Sequence, residues 1–106
     1  MIVTSFNLDQ FDISLARAKC EGIRLRATAD ADLFHATSAR TGQVAYAVRV
    51  TGELAATCSC PAGQKGTPCK HAASALSAVE KRRVKEAARV MAQYSARVRR
   101  QRKAVA

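Results

Sequence analysis

The spacing between apolar positions changes along the chain, and each change predicts a different element. Residues Met1–Asn7 read as a loose or strand-like lead-in. From about Asp9 or Asp12 to Glu21, the positions Ile13, Leu15, Ala16, Ala18 and Cys20 predict a short helix. Asp9 or Asp12 suits its first turn as a cap, and Gly22 stands where a helix stops. The period then drops to two, with Ile23, Leu25 and Ala27 alternating with Arg24, Arg26 and Thr28. Asp30-Ala31-Asp32 predicts a turn. Leu33–Ala39 and Val44–Val50 are expected to pair across Arg40-Thr41-Gly42, with Val44, Tyr46, Val48 and Val50 on one face. Thr51-Gly52 makes a second turn, and Leu54–Thr57 runs directly into Cys58. The middle of the chain is thus a meander of three or four antiparallel strands.

Residues Pro61–Pro68 are too polar and too interrupted by Gly and Pro for a regular element, and are expected to form a loop. From about Lys70 onward there is no Gly or Pro, and the Ala, Arg, Lys, Glu, Val, Leu and Met that remain predict a long helix. Leu76, Val79, Ala87, Met91, Tyr94 and Val98 recur every three or four residues as one stripe. Arg82, Lys85, Arg89, Arg99, Arg100 and Lys103 project mainly from the other side. Such a helix spans about 50 Å, longer than the body, so its end is expected to project, fray or pack on another chain. The fold class is α+β: a short N-terminal helix, an antiparallel meander, a Cys/His knuckle and a long basic C-terminal helix.

Composition sharpens this picture. A chain of 106 residues has room for one domain. Much of its apolar content is alanine and aromatic residues are few, so the core is thin and a metal staple helps it. The formal charge is +10, unevenly placed. Residues 80–106 carry ten Lys/Arg against Glu80 and Glu86, a net +8, while residues 1–79 carry eight Lys/Arg against six Asp/Glu, a net +2. The expected division is a body at 1–79 and a basic extension at 80–106.

That asymmetry points to an anionic partner, with nucleic acid first and acidic lipid or protein behind it. The contact residues would be Lys81, Arg82, Arg83, Lys85, Arg89, Arg97, Arg99, Arg100, Arg102 and Lys103. Arg24, Arg26, Arg40 and Arg49 add to them if they face the same way. Few aromatic residues interleave with these cations, which disfavours base stacking and favours contact with a duplex backbone, DNA over RNA. The alternative is a metal-stapled adaptor or oligomerisation module, with Met91, Tyr94 and Val98 packing on another copy or a larger protein. No apolar run approaches a membrane span and no signal peptide is visible, so a cytoplasmic protein without a membrane partner is expected.

In a reducing cytoplasm, four cysteines with two in a tight pair read as metal ligands. The stretch Cys58-Ser59-Cys60, eight residues, Cys69-Lys70-His71 offers three thiolates and one imidazole, a usual closed set for one structural Zn²⁺. Residues 58 and 60 leave a strand on one face. Residues i and i+2 of a regular helix point about 200° apart, so Cys69 must stand before or at a helix start with His71 in its first turn. Thr67-Pro68 suits that entry, Thr67 as a cap. Lys65 or Lys70 would offset the −1 charge of the loaded site.

A redox pair leaves Cys69 and His71 unexplained, and an iron–sulfur cluster would need Cys20 and leave His71 unused. Four protein ligands leave no open position for water, and no paired carboxylates, Ser-His-Asp set or phosphate loop occurs elsewhere, so no enzyme is expected. Cys20 is expected in the core of the first helix, and His35 is an ordinary surface or half-buried histidine.

The ligand pattern resembles the SWIM zinc finger, Cys-x-Cys followed by a variable spacer and Cys-x-His. The stretch Tyr46-Ala47-Val48 before it, Pro61 after the second Cys and Lys70 between the last two ligands extend the likeness over roughly residues 44–79. The resemblance implies a ββα-like zinc module in a small stand-alone protein of bacterial or phage type. SWIM modules are thought to bind DNA or protein, and that role is implied here by analogy.

Overall fold

The computed structural model describes residues 2–38 and 45–105. After β1 (Thr4–Ser5) comes α1 (Leu8–Glu21). Its cap is Asn7, one turn earlier than the aspartates suggested. The Asn7 side chain accepts the Gln10 N–H at 2.7 Å, and the Gln10 side chain accepts the Asn7 N–H at 2.9 Å. This reciprocal box satisfies two donors, which a lone Asp9 or Asp12 inside the helix does not. Gly22 ends the helix as expected, at φ 65°, with its N–H directed to the Ala18 and Lys19 carbonyls.

The sheet contains β2 (Ile23–Ala27), β3 (Leu33–Ser38), β4 (Tyr46–Gly52) and β5 (Ala55–Cys58) in addition to β1. The order is β1-β5-β4-β3-β2, antiparallel throughout. The meander is present, and the lead-in closes one edge by pairing Thr4 with Ala56. In the β2–β3 turn, the Thr28 hydroxyl bonds the Asp30 and Leu33 carbonyls at 2.9 Å each, and Asp30 Oδ1 accepts the Asp32 N–H. The expected turn at Arg40-Thr41-Gly42, together with Ala39 and Val44, lies outside the described residues. The second turn falls at Glu53-Leu54 rather than Thr51-Gly52, because a bulge between Val50 and Gly52 carries β4 further.

Register decides which side chains go inward. Phe34 stands opposite Val48, Val48 opposite Cys58, and Val50 opposite Ala56, so all five share one face. Onto it packs the first part of α3 (Lys70–Val105), where Ala72, Ala73 and Ala75 are fully buried and Leu76 and Val79 nearly so. Alanine lets the helix backbone approach the sheet closely. The core is thin, as composition implied. From α1, Ser14 and Ala18 are buried and Phe11 and Leu15 half-buried. Ile13 and Cys20 are exposed, so the core role expected for Cys20 is wrong. The buried line on α1 follows positions 11, 14, 15 and 18, a helical 3-1-3 spacing that leaves 13 and 20 outside.

The stretch after Cys60 is not wholly loop. Pro61–Gln64 forms a short helix, α2, since Pro61 is tolerated at a helix start and Cys60 caps it. At 36 residues α3 outruns the body, which gives the molecule extents of 63 × 27 × 25 Å. Its last tether to the body among the described residues is Arg82, whose Nη2 donates to the Ala31 carbonyl at 2.8 Å while its guanidinium lies 5.3 Å from the centre of the Phe34 ring. Beyond it Met91 and Tyr94 are each 62% exposed, so neither belongs to the core.

Candidate metal centre

Cys58 closes β5, and the ladder continues one residue further. Ser59 donates its N–H to the Ala47 carbonyl at 3.1 Å, and its hydroxyl accepts the Ala47 N–H at 2.9 Å. Ser59 therefore faces away, and Cys58 and Cys60 face one way, as strand alternation requires. Cys60 remains extended, at φ −68° and ψ 163°, and its sulfur accepts the Gly63 N–H at 3.3 Å. Cys69 stands immediately before α3 and repeats the arrangement. Its sulfur accepts the Ala72 N–H at 3.3 Å and its carbonyl accepts the Ala73 N–H at 3.1 Å. The cap of α3 is thus Cys69 and not Thr67, whose N–H is turned to the Ala62 carbonyl. Two helix N-termini aim N–H groups and partial positive charge at two sulfurs.

His71, in the first turn of α3, completes the group. The one ligand atom that each of Cys58, Cys60, Cys69 and His71 offers lies within 4.8 Å of the others, and all four residues are buried. Zinc–sulfur bonds of about 2.3 Å place tetrahedral ligand atoms about 4 Å apart, so the pocket closes on an ion with little adjustment. His71 Nδ1 is buried without a hydrogen-bond partner. A buried orphan of this kind is costly, and a cation bound at that nitrogen satisfies it. The Tyr46 ring packs at 4.9 Å from the imidazole, centre to centre, and limits its rotation.

Electrostatics agrees with the donor set. Hydrogen bonds from the Cys58 thiol, from His71 and from the Ala72 N–H hold the Cys69 thiol down to about 4. The Cys58 thiol is pushed well up, first because it donates to Cys69 and then by burial, and burial raises Cys60. Three thiolates this close repel one another, so without a cation one takes the charge and the others keep their protons. A divalent ion reverses that logic and ionises all three. Lys70, expected to offset the charge, instead pairs with Glu21 at 2.8 Å and ties the end of α1 to the start of α3.

Gly63 is the residue that sequence reading missed. A Cβ there would overlap the Cys58 carbonyl and lie 2.7 Å from the Cys58 Cβ, so only glycine lets α2 fold back onto the first ligand. Its signal was present as Pro-x-Gly immediately after Cys60. Cys60, Cys69 and His71 form part of the wall of an open cleft of about 960 Å³ between α1 and the knuckle, and Arg17 and Cys20 line its α1 side.

The ten cations expected to meet a polyanion are all exposed on α3. Arg82 is held against the body, and Arg89 pairs with Glu86 one turn back at 2.5 and 2.7 Å. Arg24, Arg26 and Arg49 share one face with His35, but it is the sheet face turned away from the one that receives α3. Arg49 is paired with Asp30 at 2.7 Å. Arg40 lies outside the described residues.

Residues 46–80 match the family model of the SWIM zinc finger. The matched span opens with β4, ends within α3 and contains all four ligands. No curated protein and no solved structure matches the chain. Residues 46–80 thus carry a SWIM zinc finger, and its Cys₃His cluster is consistent with one bound zinc ion.

Proposed function

We propose that this SWIM zinc finger is a non-enzymatic, intracellular module that binds nucleic acid, duplex DNA in preference to RNA, through the cations of α3. In this reading the zinc ion performs no reaction. Three thiolates and His71 fill its tetrahedron, and its work is to lock the start of α3 to the end of β5.

The observation that carries the reading is the placement of charge on α3. Lys81, Lys85, Arg89, Arg99, Arg100 and Lys103 fall within a sector about 100° wide along about 33 Å of helix. All six are exposed. Contacts of this sort neutralise phosphates and release counterions without reading base edges. The described face of the sheet offers His35 but no Phe, Tyr or Trp beside its arginines, so stacking of unpaired bases adds little.

The test is a salt titration of zinc-loaded protein with duplex DNA, single-stranded DNA and RNA of equal length. The expected result is duplex affinity falling about 10³-fold between 50 and 200 mM salt, as for about six phosphate contacts. Absence of binding to all three at low salt overturns the reading. Tighter binding to RNA overturns the preference for DNA.

A further inference from the structure

We propose that the projecting part of α3 pairs with an amphipathic helix of another protein whose apolar seam is bordered by acidic residues. The apolar seam is distinct from the cationic sector, sharing only Lys81 at their common border, and does not rest on the nucleic-acid reading. Beyond the Arg82 tether, Val84, Ala87, Met91, Tyr94 and Val98 follow one another at spacings of 3, 4, 3 and 4. That is the a/d rhythm of a helix-pairing seam, two heptads and about 21 Å long. Val84 is 60% exposed and Met91 and Tyr94 are 62% exposed. A helical segment without tertiary contacts is marginal in water, so a partner on this seam stabilises the helix itself.

Charge selects the occupant. With Val84, Met91 and Val98 at a positions, the bordering e and g positions hold four cations, Lys81, Arg83, Arg97 and Arg102, three neutral residues, Ala88, Val90 and Ser95, and no acidic residue. Acidic residues on a facing helix meet each of these cations. Two copies of this chain in parallel would set Arg97 of one against Arg102 of the other, with no attractive pair in return. A bilayer fits less well, because the stripe is only a seam wide, carries no Leu, Phe or Trp, and has Arg83 and Arg97 at its border.

The probe is a synthetic 21-residue helix with Leu at its a and d positions and Glu at e and g, titrated into the zinc-loaded full chain at physiological salt. Saturable one-to-one binding is expected, weakened at least tenfold by combining Met91→Ser and Tyr94→Ser. Both side chains are exposed, so zinc content and the melting curve of that variant stay as in the parent, and its duplex DNA binding changes less than twofold. Loss of peptide binding with DNA binding retained therefore separates this surface from the cationic one. The proposal is overturned by any of three results. The first is equal peptide binding by the variant. The second is a dimer in sedimentation that the two substitutions dissolve. The third is adsorption to phosphatidylglycerol vesicles that they abolish while the peptide does not bind.

Discussion

The first ten residues of α3 and its last twenty share one helix, one amphipathic rhythm and opposite surroundings. Between Lys70 and Val79 the apolar side is closed by the sheet, with Ala72, Ala73 and Ala75 at 0% exposure and Leu76 at 4%. Beyond Val79, the residues Val84, Met91 and Tyr94 on the same stripe are 60–62% exposed. Periodicity reports which side of a helix is apolar, and it is silent on what covers that side. The buried half differs in what surrounds its stripe. Alanines let its backbone approach the sheet, and Cys69, His71 and the Lys70–Glu21 pair anchor its start to the sheet and to α1.

If the metal is what separates the two halves, removing it erases the contrast. Chelation, Cys58→Ser or His71→Ala is expected to unfold the body, since structural zinc sites contribute on the order of 10 kcal/mol. Loss of near-ultraviolet signal and of the thermal transition measures this, and an unchanged melting curve of the metal-free protein contradicts it. Acid acts in the same direction. Burial raises Cys60 and a hydrogen bond to Cys69 raises Cys58, so both keep their protons in a folded metal-free site, and in the unfolded chain all three thiols keep theirs up to about pH 8.5. At least two protons are therefore released on uptake, and apparent affinity drops at least about 100-fold for each unit of pH lost near neutrality. A pH-independent affinity from competition with a chelator rules this out.

Smaller perturbations sharpen the contrast. Leu76→Ala, in the buried half, is expected to cost about 2–5 kcal/mol. Met91→Ala, in the projecting half, stays within about 0.5 kcal/mol. Denaturant melts of the two variants decide, and equal losses would mean that the extension packs on the body. Gly63→Ala forces α2 off Cys58 and costs about 1–3 kcal/mol, with weaker zinc retention against a chelator. Asn7→Ala, far from both halves, removes a cap worth about 1 kcal/mol and leaves zinc affinity as it was.

The ligand set was legible because zinc demands residue types at fixed separations. Cys58-x-Cys60 and Cys69-x-His71 each imply a backbone shape, an extended strand for the first pair and a helix entry for the second. The meander was legible from its alternation at Ile23–Thr28 and Tyr46–Val50. Less visible were features that depend on two segments meeting. Cys20 looked apolar in its own helix, but the line that faces the core runs through Phe11, Ser14, Leu15 and Ala18. The α2 helix was hidden because four residues with a glycine lack helical propensity, and it exists through a sulfur cap and close packing on Cys58. The worth of Asn7 as a cap, above that of the nearby aspartates, rests on its reciprocal bonding with Gln10, a pairing of two residues that neither shows alone.

The zinc ligands at 69 and 71 hold one end of a rod about 54 Å long. Mechanically this is a lever with its fulcrum at the finger. A tilt of about 5° at the fulcrum carries the far end by about 5 Å, roughly a base-pair step and a half along a duplex. The aim of every cation near Lys103 is therefore set by tolerances within a few ångströms of Cys69.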